Sequence, residues 1–207
     1  MIVLDSGSKL RRVEEPFEVH SINKLGSSEE LDRVKDFVQK VFRDGGYRKT
    51  SQAQNLDKWS NWIYLTCFGE IVSAQRVVEK TKENLLTVEQ ALIRDDQNNS
   101  HYRIAEKNVA DWNSVAFEKS KRGLRAAFTN AGLIARHCLE KNYDLVFGFS
   151  NSQKKGIERL YLAHGAKFSE KFSKPVYFPS DSLEGKTFDL KIIEISKTAL
   201  REIASKL

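Results

Sequence analysis

The run from Asn113 to Phe168 constrains the fold more than any other part of the chain. It opens with an apolar segment, Ser114-Val115-Ala116-Phe117, which is cut off by Glu118-Lys119-Ser120-Lys121-Arg122-Gly123. Helical periodicity then extends from Leu124 to Lys141, and a second apolar run follows at Leu145-Val146-Phe147-Gly148-Phe149. Another periodic segment closes in Tyr161-Leu162-Ala163-His164-Gly165. This order predicts strand, basic loop, helix, strand, helix. A loop that opens a helix directly after a buried strand presents backbone N–H groups and a positive dipole end. Its lysines and arginines add the same sign, so a phosphate or another anion is expected there.

The rest of the chain extends this pattern on both sides. Phe17 to Ile22 alternates as a half-buried strand does, and Ser27-Ser28-Glu29-Glu30 offers a capping box for the helix behind it. Leu31, Val34, Phe37, Val38, Val41 and Phe42 keep to one face of that helix, which Gly45-Gly46 ends. The segment from Trp59 to Phe68 is apolar enough to be covered on both faces, and Gly69 turns it into a hairpin with residues 71–78. Alternation places Arg76 on one face with Val72, Ala74 and Val78. A guanidinium on an apolar face needs an anion: a salt-bridge partner, a substrate carboxylate or a catalytic carboxylate such as Glu118. Residues 79–110 are polar apart from a short helical candidate at Thr87 to Ile93, and read as a lid, a binding loop or a disordered insert. Asn151-Ser152 caps the next predicted helix, in which Ile157, Leu160 and Tyr161 face inward. Strands are expected at Val176 to Phe178 and Phe188 to Ile195, and a terminal helix at Lys197 to Leu207.

The 207 residues suit one domain, 17–207, behind a loose arm at 1–16. No apolar run approaches the roughly 20 residues of a bilayer span, and the opening residues turn polar too soon for a signal peptide. Cys67 and Cys138 sit in apolar settings without metal-ligand spacing, as reduced core residues do. A cytoplasmic protein with no stable membrane insertion and no metal is the expectation. The net charge of +6 points to an acidic partner. Nucleic acid is the alternative class, with Trp59, Trp62, Tyr64 and Phe68 as stacking residues, but the charge is scattered along the chain and not gathered into a stripe.

The element order, together with Asn151, Tyr161 and Gly165-Ala166-Lys167-Phe168, resembles the GCN5-related N-acyltransferase superfamily. Within it, Phe117-Glu118-Lys119-Ser120-Lys121-Arg122 is similar to the Glu-x-Ser-Arg element of acyl-homoserine-lactone synthases and N-acyl amino acid synthases. Val41-Phe42 and Gly69-Glu70-Ile71-Val72 leading to Arg76 agree with both. Lys121-Arg122-Gly123-Leu124-Arg125-Ala126 carries one glycine where the acetyl-CoA loop has two. The substrate-facing lactone-synthase pattern is eroded around Phe42, where Val38 and Arg48 occupy its arginine and tryptophan places, and its paired aspartates have no clear match around Asp57.

The resemblance therefore implies an α/β fold with a central, mixed but mostly antiparallel sheet flanked by helices. It implies an enzyme that moves a long acyl group from acyl carrier protein to the α-amine of an amino acid, tyrosine or another hydrophobic one. A homoserine-lactone synthase and an acetyl-CoA-dependent acetyltransferase are the alternatives. No cofactor is bound permanently; the donor is acyl-phosphopantetheine on the carrier, or acyl-CoA. Glu118 is the candidate base, directly or through a water, Tyr161 the acid for the leaving thiolate, and Arg76 the fork for the amino acid carboxylate. Ser120, Lys121, Arg122, Gly123, Arg125 and Asn151 would bind the phosphopantetheine. Lys119, Lys121, Arg122, Arg125, Lys154 and Lys155 would dock the carrier's acidic face. Trp59, Trp62, Phe68, Phe147 and Phe149 offer material for an acyl tunnel.

Overall fold

The computed structural model describes residues 16–23, 28–48, 56–154, 156 and 158–206. Residues 1–15 of the expected arm, the capping Ser27, Ile157 and Lys155 lie outside the described residues. In chain order the elements are β1 (Glu18–Ile22), α1 (Ser28–Asp44), β2 (Tyr47–Arg48), a 3-10 turn (Asp57–Trp59), β3 (Ser60–Cys67), β4 (Glu70–Glu79), α2 (Thr87–Gln90) and β5 (Leu92–Ile93). They continue with β6 (Val109–Phe117), α3 (Lys121–Glu140), β7 (Leu145–Asn151), α4 (Glu158–Leu162), β8 (Lys167–Phe168), β9 (Val176–Tyr177), β10 (Ser182–Leu183), β11 (Leu190–Ser196) and α5 (Lys197–Lys206).

The main sheet runs β1-β3-β4-β6-β7-β11-β9-β5, with β8 also on β11 and a separate β2–β10 pair. Among the described strands the β6–β7 pair is parallel and the others are antiparallel. The apolar stripe of α3 (Ala131, Ile134, Ala135, Cys138) and that of α5 (Leu200, Ile203) cover one face, against Ile63, Val77, Trp112 and Val146. On the other face Val34 and Val38 of α1 pack on Trp62, Tyr64, Ala74 and Ala116. Both cysteines are buried and free. The core therefore has three layers: α3 with α5, the sheet, and α1.

Residues 80–108 belong to this core and are not a detached lid. Leu86, Val88, Ala91 and Ile104 are buried with Val78, Val109, Phe147 and Ile192. Glu89, 2% exposed, accepts from Leu86 N and Ile104 N and pairs with Lys80. That buried carboxylate staples a segment with little regular structure of its own.

Two irregularities shape the centre of the sheet. The β3–β4 register shifts at Leu65/Thr66, so Val72 turns toward α3 with Leu65, Cys67 and Ala126, while Ala74 faces α1. Arg76 thus shares a face with Ala74 and Val78, and the expected place of Val72 on that face is corrected by the bulge. On β6, Ser114 and Val115 together oppose the single Gln75, and Ser114 takes φ 51°. Gln75 holds this spot rigid: its Nε2 donates to Ala127 O at 3.0 Å, and its Oε1 accepts from Trp112 Nε1 at 2.8 Å. An extra residue in one strand bends it and breaks the ladder locally.

Candidate functional site

The bend separates β6 from β7. The two strands pair only over Val109–Asp111 with Leu145–Phe147, although each runs on for several residues. Beyond that point β7 pairs with β11 alone. Glu118 N donates to Val72 O at 2.9 Å, so strand alternation turns the Val115 and Phe117 amides away from β4, toward the gap. A cavity of about 190 Å³ fills it. Trp112, Asn113, Ser114 and Val115 form one wall, Phe149, Asn151 and Tyr161 another, and Phe42, Tyr47, Phe178 and Phe188 an aromatic rim, with Leu190, Lys154 and Asp181 completing the lining.

Arg76 and Thr87 close one end. Arg76 is 3% exposed, lies over the Trp62 ring at 5.2 Å and donates through Nε to Asn113 Oδ1 at 2.7 Å. Burial pulls it down to about 10, against the attraction of Asp57 and Asp111. Asn113 in turn donates to Thr87 Oγ1 at 3.0 Å. Asp111 lies on the same face of β6 and accepts through Oδ2 from Thr87 N and Val88 N, capping the turn of α2. Burial pushes its carboxyl up to about 7, opposed by those N–H bonds and by Arg76.

Tyr161 stands at the other end, 1% exposed and edge-on to Trp112 at 5.0 Å. Burial, with Cys138 nearby, raises its phenol far above the usual range, so the hydroxyl keeps its proton at every ordinary pH. Gly165, at φ 85°, ends the helical turn that carries it. Asn151 lies at the mouth as the last residue of β7. Its Nδ2 donates to Tyr47 OH at 3.0 Å and its Oδ1 accepts from Gln153 N at 2.9 Å. It therefore makes a turn of its own, and the expected helix cap is corrected, since α4 begins only at Glu158.

The basic loop lies outside the cavity lining. Ser120 is the N-cap of α3, accepting from Gly123 N at 2.9 Å. A Cβ on Gly123 would fall 2.0 Å from Glu118 O, so the chain can turn from β6 into α3 this tightly only with glycine. Lys119, Lys121 and Arg125 point to solvent, and Arg125 covers Phe17 at 5.8 Å. Glu118 is paired with Arg122 at 2.7 Å, half exposed. It neither lines the cavity nor meets Arg76, so the expected Glu118–Arg76 pairing is corrected: the helix turn gives Glu118 a nearer cation. The expected tunnel residues also divide. Phe149 lines the cavity, Phe147 is core, Trp62 underlies Arg76, and Phe68 is 75% exposed on its turn.

Arg76, Tyr161 and Asn151 thus meet at one cavity, while the Ser120–Arg125 loop is a separate feature at the start of α3. The sequence reading missed Asn113 and Thr87 at the polar end, Asp111 buried behind Thr87, and Tyr47, Phe178 and Phe188 at the rim. A charged residue directly before Trp112, in a run otherwise fit for a central strand, was the available signal for Asp111.

No protein-family model matches the sequence, and no curated protein matches it significantly. Solved structures do share its architecture. FeeM, an N-acyl amino acid synthase from uncultured soil microbes, superposes with a TM-score of 0.60 at 10% identity, over 90% of this chain and 93% of its own. BjaI, a CoA-dependent acyl-homoserine lactone synthase, gives 0.56 at 12% identity, over 92% and 89%. The ribosomal-protein-S18-alanine N-acetyltransferase from Escherichia coli gives 0.54 at 9%, over 87% and 94%. The chain has the GCN5-related N-acyltransferase fold. Its neighbours in that fold include an acetyltransferase, an N-acyl amino acid synthase and an acyl-homoserine lactone synthase. No described helix is long and apolar enough to cross a membrane.

Proposed function

We propose that this protein is an N-acyltransferase that joins an acyl group from a pantetheine thioester to the amine of an amino acid. The observation that carries the reading is the cavity at the β6–β7 gap, which has a buried guanidinium at one end and a buried, permanently protonated phenol at the other. The thioester lies in the gap, with its carbonyl oxygen against the open amides of bulged β6, which stabilise the oxyanion of the tetrahedral adduct. Tyr161 donates a proton to the departing thiolate. Arg76 takes the acceptor's carboxylate through its outer Nη atoms, a geometry a planar guanidinium suits.

The donor's phosphate rests at the Ser120–Arg125 turn, where helix dipole and side chains share a sign. Exposed Lys119, Lys121 and Arg125, with Lys154 near the mouth, favour an acidic acyl carrier protein as donor and speed its encounter. The aromatic rim suits a long acyl chain or a hydrophobic acceptor side chain, and tyrosine fits the latter. Incubation with palmitoyl-acyl carrier protein, palmitoyl-CoA or acetyl-CoA and a mixture of amino acids, followed by mass analysis, should yield N-acyl amino acids with the carrier-bound donor. Acetyl products alone would restrict the enzyme to acetyl-CoA. Absence of any amide product would remove the reading.

A further inference from the structure

The polar end of the cavity is ordered by a single amide group. Arg76 Nε can only donate, so the oxygen of the Asn113 side chain must face it and the NH2 must face Thr87, across bonds of 2.7 Å and 3.0 Å. Ser114 Oγ donates to the same oxygen at 3.2 Å. Thr87 Oγ1 therefore receives a hydrogen from Asn113, and its own hydrogen must turn elsewhere. No described residue accepts that hydrogen, and Thr87 borders the cavity. Arg76, 3% exposed, is in the same position: among the described residues it donates through Nε alone, and its Nη atoms meet the cavity unpaired. Buried polar groups in folded proteins are nearly always paired, so a guest with acceptor atoms belongs at this end.

Charge narrows the guest. The carboxylates that act on Arg76 are Asp57 and Asp111. Asp57 is matched by Lys35, and Asp111, behind Thr87, accepts from Thr87 N and Val88 N. Asp181 and Lys154 also line the cavity. Lys154 is exposed near the mouth, 3.8 Å from Glu184. Asp181 is 9% exposed in the turn after Phe178, where its N donates to Phe178 O at 3.0 Å and its Oδ1 accepts from Ser180 Oγ at 3.2 Å. Arg76 is thus the single buried cation of the lining, and a guest with one negative charge matches it. A dianion such as a phosphate leaves one charge uncompensated, and an acidic side chain reaching along the lining meets Asp181.

We infer that Thr87 determines acceptor specificity: with Arg76 it forms a clamp of hydrogen-bond donors that selects an acceptor bearing a free carboxylate over one whose head group is a carboxamide or an ester. This rests on the acyl-transfer reading above. Asn113 is the positioning residue, since its one amide holds the guanidinium on one side and the hydroxyl on the other. A carboxylate carries acceptors alone, so one oxygen lies on the Nη edge of Arg76 and the other takes the Thr87 hydrogen. A carboxamide turns its NH2 toward one of these donors and leaves buried hydrogens facing each other. An ester lacks the charge that the guanidinium needs. Free amino acids are thereby admitted, and their amides and esters are turned away.

The test needs no acyl donor. The full chain is titrated calorimetrically with 3-phenylpropionate and with 3-phenylpropanamide, which differ only in the head group. Wild type should bind the carboxylate at least about a hundredfold more tightly than the amide. Thr87→Val should weaken carboxylate binding roughly tenfold to a hundredfold and leave the amide within about threefold, whereas Thr87→Ser, which keeps the hydroxyl, should recover most of the loss. Circular dichroism shows whether each variant is folded, and the wild-type preference decides the matter even where one is not. Equal binding of the two compounds by wild type, no binding of either, equal losses for both in Thr87→Val, or no recovery in folded Thr87→Ser would overturn the inference. In turnover, Thr87→Val should raise the Michaelis constant for L-phenylalanine with kcat nearly unchanged, and should not affect phenethylamine, which has no carboxylate. A failed product assay beside intact carboxylate selection would count against acyl transfer and leave the clamp standing.

Discussion

Replacing Asp111 with asparagine is expected to make the protein more stable, and increasingly so as the pH rises. Asparagine keeps the shape, and its amide oxygen accepts from Thr87 N and Val88 N as Oδ2 does. What changes is charge. Burial carries this carboxyl from 3.8 to about 7 even with Arg76 beside it. At about 1.36 kcal/mol per tenfold, keeping it ionised in the folded protein costs about 4 kcal/mol. The attraction of Arg76 is already contained in that value, so losing it does not reverse the sign. A carboxyl whose folded value is raised stabilises the protein only while protonated. The unfolded chain sheds this proton near pH 4 and the folded chain near 7, so wild type loses stability between them and is level above. The advantage of the variant is thus about 1.5 kcal/mol at pH 5 and about 4 kcal/mol at pH 8. For a chain of this size the difference amounts to roughly 5–10 °C in melting temperature between the two pH values. Thermal melts of both proteins followed by circular dichroism would measure it. A variant less stable than wild type at pH 8, or a gain of equal size at both pH values, would refute the reasoning.

Three further outcomes are expected. Gly123→Ala forces a Cβ to within 2.0 Å of the Glu118 carbonyl, so the β6–α3 turn must open. The expected loss is about 3 kcal/mol in urea unfolding, with a raised Michaelis constant for the donor; unaltered stability would show that the turn yields freely. Tyr161→Phe should lower kcat at least about tenfold with an alkyl thioester yet leave an aryl thioester, whose thiolate needs no proton, nearly unaffected. Equal losses would exclude a proton-donor role. Lys121→Glu combined with Arg125→Glu should raise the Michaelis constant for a carrier-bound donor, with an effect that fades as salt is added. A fall in kcat at constant Michaelis constant would place these residues elsewhere in the cycle.

Much of the fold was legible because its signals are local. The apolar stripe of α1, the doubly covered β3 and the β6-loop-α3-β7 succession each lie within one contiguous stretch, and hydrophobic periodicity reports them directly. Tyr161 and Arg76 could be singled out for the same reason: a tyrosine four residues before a helix-ending glycine, and a charge on an apolar strand. Bulges are another matter. Nothing at Val72 or Ser114 announces an extra residue, because a bulge arises from how two strands meet and not from either alone. The place of Val72 and the gap beside Val115 therefore stayed hidden. Glu118 was misplaced through a near neighbour, since Arg122, one helical turn on, outcompetes a partner across the sheet. Asp111 made the start of β6 look like loop, and what keeps it in a strand is the pair of α2 amides supplied from more than twenty residues away.

The one-residue excess of β6 over β4 has a consequence for how such a protein can vary. The cleft is written into strand registration, with Gln75 and Trp112 pinning the offset, so its walls need not keep any particular side chains. Substitutions along the aromatic rim alter what fits inside without closing the space, whereas deleting one residue at Ser114 would let β6 straighten and zip onto β7. Chains alike in only about a tenth of their residues can share the fold on these terms. For this architecture an insertion or deletion at the centre of the sheet is the graver change, and point changes around the cavity are the ones that alter what it admits.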